Sequence, residues 1–120
     1  RQNFGLSLDN EVLENLVSTM KRHQANEHEI ALAAACFRIE ELFFKCETEK
    51  DFSALNLTVL GCATSAQILR DKGVISQDHV RHFLVQIGTL LDTKGHDLDS
   101  FVEVLRDRRR NPESWRRGSR

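Results

Sequence analysis

Apolar side chains recur at three- and four-residue spacing through most of this chain, and the polar residues between them predict five helices. Val12, Leu13, Leu16, Val17 and Met20 form the first stripe. It follows Asp9 and Asn10, which suit a helix start, and precedes Lys21 and Arg22, which suit the negative end of the helix dipole, so a helix is expected over about 9–23. Asn26 with Glu29 three residues later has the spacing of a capping box, in which each residue serves the other's exposed backbone N–H, and it opens a helix to about Cys46. Along that helix Ile30, Leu32, the Ala33 to Cys36 run, Phe37, Ile39, Leu42, Phe43 and Phe44 cover most of the circumference, which marks a central element.

A third stripe, Leu55, Val59, Cys62, Ala66 and Leu69, begins near Asp51 to Ser53 and stops at Gly73, a residue able to take the left-handed conformation that ends a helix. Ser76 reads as the N-cap of a fourth helix with Val80, Phe83, Leu84, Ile87, Leu90 and Leu91 on its apolar side, ending at Gly95. Asp97 starts the fifth, with Leu98, Phe101, Val102 and Leu105 inward and Pro112 as its limit. Connections this short make consecutive helices antiparallel neighbours. The expected fold is all-α: five antiparallel helices as a compact bundle or as a short HEAT-like stack of helical hairpins. One helical domain is expected over 1–108, followed by an Arg-rich tail over 109–120.

Composition agrees with helices: six Gly, one Pro and no Tyr are a poor supply for a turn-rich sheet protein. Cys36, Cys46 and Cys62 are odd in number, lack CxxC spacing and fall in helix interiors, pointing to a reducing, intracellular setting, cytoplasmic or nuclear. No signal pattern opens the chain, no apolar stretch is expected to reach the roughly 18 residues of a membrane span, and the missing initiator Met fits a piece of a longer protein.

Charge changes the picture more. Arg106 to Arg120 hold seven of the seventeen basic residues and two of the eighteen acids, which makes that end +5 and leaves the body at −6. Arg106, Arg108, Arg109, Arg110, Trp115, Arg116 and Arg117 combine phosphate-pairing guanidinium groups with an aromatic stacking face, a composition suited to nucleic acid or to a nuclear-import signal. The plainer reading gives the helix-five arginines to the C-terminal dipole and folds Trp115 back onto the bundle.

Reactive chemistry is sparse. His79 and His82, three apart, share a helix face but lack the paired partners of a zinc site, so no metal or cofactor is expected. Cys36 and Cys62 lie on core stripes where burial disables a thiol, and Cys46, near Lys45 and Lys50, has no histidine at a recognisable spacing. Gly61 and Gly88 form no phosphate loop and are expected at helix crossings.

Over residues 61–105 the chain resembles a helical repeat of the scaffold middle domain of the translation initiation factor 4G family. The likeness rests on the corner Ile68, Leu69, Arg70, Asp71, Lys72, Gly73, Val74, Ile75, on the helix Val80 to Leu91, on Lys94, His96 and Asp97 before Leu98 to Leu105, and on Arg109, Arg110, Asn111 and Trp115 at the close. That resemblance implies stacked hairpins serving as a platform for protein partners, sometimes with RNA. The residues themselves point to a non-enzymatic module that binds a partner peptide or helix, with Phe43, Phe44 and Lys45 and with Phe83, His79 and His82 as candidate contacts. Phe43 and Phe44 point about 100° apart, so one of them is expected to face outward.

Overall fold

The computed structural model describes residues 10–111, and among these the chain is all-α. Five helices follow one another: α1 (Asn10–Arg22), α2 (Glu27–Lys45), α3 (Glu49–Asp71), α4 (Gln77–Leu90) and α5 (Leu98–Arg110). Side-chain caps define where four of them begin. Asn26 Oδ1 accepts from the Glu29 N–H at 2.8 Å and Glu29 Oε1 from the Asn26 N–H at 3.0 Å, completing the expected capping box. A second box explains why α3 starts before Asp51: Thr48 Oγ1 accepts from the Asp51 N–H and Asp51 Oδ2 from the Thr48 N–H. Ser76 and Asp97 cap α4 and α5.

Three helix ends, those of α1, α3 and α4, share one geometry. After α3, Gly73 takes φ 71° while its N–H reaches the Arg70 carbonyl and the Val74 N–H reaches Leu69, the paired bonds of a Schellman turn. The same pattern stops α4 at Leu90, short of the expected Gly95, because Asp92 adopts φ 57° and the Thr93 N–H bonds to Gly88. Gln24, at φ 63°, closes α1 likewise. A methyl group at Gly73 would meet nothing within 4 Å, so Gly73→Ala tests conformation alone. Urea unfolding should show a loss on the order of 1 kcal/mol.

α3 packs most extensively on α5 and α2, and α2 also packs on α1 and α4, which accounts for the apolar circumference of α2. The α2–α3 hairpin is antiparallel, with the Phe43 and Phe52 rings edge-on at 6.0 Å beside the connection. α5 returns along α3: Asp99 near its start meets Gln67 and Arg70, and the Leu105 carbonyl accepts from Nδ2 of the buried Asn56 at 2.9 Å. α4 departs from the expected neighbour pairing. It packs chiefly on α2, because the segment before it is bound to the start of α2: Asn26 Nδ2 donates to the Val74 carbonyl and the Ser76 N–H to Glu29 Oε2. Leu32, Ile39, Val59, Phe83, Ile87, Phe101 and Leu105 lie in the shared core.

Two expectations need correction. Gly61 is exposed and a Cβ there would touch nothing, so no helix crosses at that point, and Gly88 is buried not at a helix crossing but against Thr93 and Lys94 of the connection that follows its own helix. An apolar stretch of span length does exist: α3 is long and apolar enough to cross a membrane by length and composition, although its inner face is committed to α2 and α5.

Candidate interaction surface

The structure separates the expected contact residues. Phe83 is 1% exposed and stacks edge-on against Phe101 at 6.0 Å, so it belongs to the core and is withdrawn from the surface. Its place in the α4 stripe, between Val80 and Ile87, is the physical reason. Phe43 is half-buried against Phe52, while its neighbour Phe44 is 74% exposed beside the exposed Lys45. Phe37, two helical turns before Phe44, is also exposed, and the sequence does not single it out because α2 reads as apolar over most of its circumference.

His79 is occupied rather than displayed. Its Nδ1 lies 3.1 Å from Glu29 Oε2 and 2.7 Å from Ser76 Oγ, while His82 three residues on is exposed. Burial of Glu29 raises its pKa, but the backbone N–H groups of Asn26 and Ser76, with the charge of His79, outweigh burial and hold the carboxyl below its ordinary value. Serine, histidine and glutamate thus meet without forming a relay. Both oxygens converge on the same ring nitrogen, so the imidazole cannot take a proton on one side and be steadied on the other. Among the described residues no group of three or more His, Cys, Asp and Glu is placed to hold a metal ion.

The thiols are equally unsuited to attack. Burial pushes Cys36 and Cys62 up to about 12. Burial, then the Asp51 charge, raises Cys46, whose Sγ donates to the Leu42 carbonyl at 3.2 Å.

The arginine strip divides. Arg109 and Arg110 of the expected tail belong to α5. Arg106, Arg109 and Arg110, three and four residues apart, share one side of α5 and with Leu60 of α3 line a cleft of about 340 Å³. Exposed pairs hold Arg106 to Glu103 and Arg110 to Asp107, and Arg109 makes no ion pair among the described residues. Arg108 points away from the cleft and is partly buried; burial lowers its pKa against the opposing charge of Asp92. Trp115, Arg116 and Arg117 lie outside the described residues.

Beside the cleft runs a surface with an unusual composition. Residues 52–69 of α3 contain no charged side chain, and their outward side presents Leu57 at 48% and Ile68 at 55% exposure with Gly61 between them. A solvated helix face ordinarily carries charge. The run is visible in the sequence, but the stripe Leu55, Val59, Cys62, Ala66 and Leu69 describes only its inward side and leaves Leu57 and Ile68 unassigned. Arg70, held to Asp71 and Asp99, closes the far end, and the arginine cleft flanks the near end. The result is an uncharged track with a cationic notch at its side.

No family model, no curated protein and no solved structure matches this chain.

Proposed function

We propose that the chain is a non-enzymatic helical adaptor domain that receives a peptide or helix of a partner protein on the α3–α5 side. The observation that carries this reading is the charge-free outward face of α3, where Leu57 and Ile68 stand exposed on a helix long enough to have carried solvating residues. The inert thiols and the Ser76–His79–Glu29 arrangement favour a binding role over a catalytic one. The resemblance of 61–105 to a protein-binding helical repeat includes parts of α3 and α5, the two helices of that side.

Affinity capture with the intact chain tests this, run beside the double variant Leu57→Asp/Ile68→Asp. Both positions are exposed, so stability should change by no more than about 1 kcal/mol for the two substitutions together, while the captured protein set should be lost. Retention of every partner by a folded double variant sinks the reading.

The second reading is nucleic-acid binding through Arg106, Arg109 and Arg110, supported by their convergence on one cleft. Partners lost on nuclease treatment, with affinity falling steeply as salt rises, would select it over the first.

A further inference from the structure

We infer that the ligand of this surface is an acidic amphipathic helix, which lays apolar side chains along Leu57 and Ile68 and places a carboxylate in the arginine cleft beside Leu60. The inference rests on the docking role proposed above and adds the charge and shape of the partner. Leu57 and Ile68 are eleven residues apart on α3, a track of about 16 Å or three helical turns, which an opposing helix covers with three or four inward side chains. Gly61, with open space where a Cβ would stand, lets a partner backbone approach midway.

Charge selects the sign of the partner. Arg106, Arg109 and Arg110 face the cleft together. The pairs of Arg106 with Glu103 and Arg110 with Asp107 are exposed and one turn apart on the same helix, a weak class of interaction from which a guanidinium readily turns to a better-placed carboxylate. Guanidinium meets carboxylate bidentately, and the apolar Leu60 wall beside it reduces competition from water. A nucleic-acid backbone fits less well. Beyond the cleft, residues 98–105 of the same helix contain no basic side chain, so a phosphate chain continuing along it would find no further cation there. A bilayer fits less well still, since Gly61 and Thr64 interrupt the exposed aliphatic side chains of α3.

The test is selection of a phage-displayed library of random peptides on the intact chain, followed by fluorescence titration of the winners. Selected peptides should combine Asp or Glu with apolar residues at helical spacing. Their affinity should fall at least tenfold with Arg109→Glu/Arg110→Glu and with Leu57→Asp, while circular-dichroism melts stay unchanged. A peptide with its acidic residues replaced by Lys should regain affinity for the Arg109→Glu/Arg110→Glu variant. Neutral or basic winners, or winners that depend on Leu57 but ignore the arginine reversal, overturn the acidic partner and leave docking intact. No winners, or winners indifferent to both substitutions, overturn the docking reading as well. Binding of a single-stranded RNA 20-mer, or of vesicles of equal phosphatidylserine and phosphatidylcholine, through these arginines without any acidic peptide winner assigns the cleft to phosphate and overturns the inference.

Discussion

Replacing Phe101 by Ala is expected to remove about 3–5 kcal/mol of stability, the range for truncating a buried aromatic whose surroundings cannot close over the void. Phe101 is completely buried in α5, and its ring meets that of Phe83 from α4 at an interplanar angle of 80°. The pair joins two helices that otherwise touch little, so the lost ring is a large part of what holds α4 to α5. Domains of this size hold roughly 5–15 kcal/mol in total, so the loss is a large share of it. Thermal melting should fall on the order of 10–20 °C. Phe44→Ala, at a 74% exposed position, should change stability by no more than about 0.5 kcal/mol. A cycle with Phe83→Ala should return a coupling of about 0.5–1.5 kcal/mol. Equal, small effects at Phe101 and Phe44 would contradict the packing.

The contrast between Phe83 and Phe44 shows what periodicity carries and what it does not. On α4 the apolar positions form one stripe, so Phe83 is legible as core, and naming it a surface candidate set aside that pattern. On α2 apolar residues fill the circumference, periodicity gives no direction, and only the packing of α1, α3 and α4 reveals that Phe37 and Phe44 are left over. Helix ends divide similarly. Gly73 announces its turn because glycine takes positive φ freely, whereas Gln24 and Asp92 adopt the same geometry without that signal, and the end of α4 was misplaced for this reason. The arginine strip was legible as charge but not as geometry. The last turn of α5 decides that Arg106, Arg109 and Arg110 converge while Arg108 departs, and the antiparallel return of α5 along α3 decides that Leu60 meets them.

Glu29 carries the deepest long-range consequence of a locally readable motif, and Glu29→Gln should lower stability by about 1.5–3 kcal/mol near pH 7. The Asn26–Glu29 spacing predicts a cap for α2, and one carboxylate oxygen does accept from Asn26. The other oxygen accepts from the Ser76 N–H, 47 residues onward, at 2.8 Å, and lies 3.1 Å from His79 Nδ1, fastening the start of α4 to the start of α2. Glutamine keeps the shape but turns an NH₂ group toward one of two backbone N–H donors, leaving that donor unmet in a buried place. The sign of the pH dependence follows from the lowered pKa. A carboxyl that is more acidic folded than unfolded stabilises the fold fully above its ordinary value of 4.5, and the contribution fades as pH falls through the lower folded value. The stability gap between the wild-type chain and Glu29→Gln, measured by urea unfolding, should therefore be widest near neutrality and narrow below pH 4.5. A gap that stays constant down to about pH 3 would mean that the ionised carboxylate does not clasp the two helices.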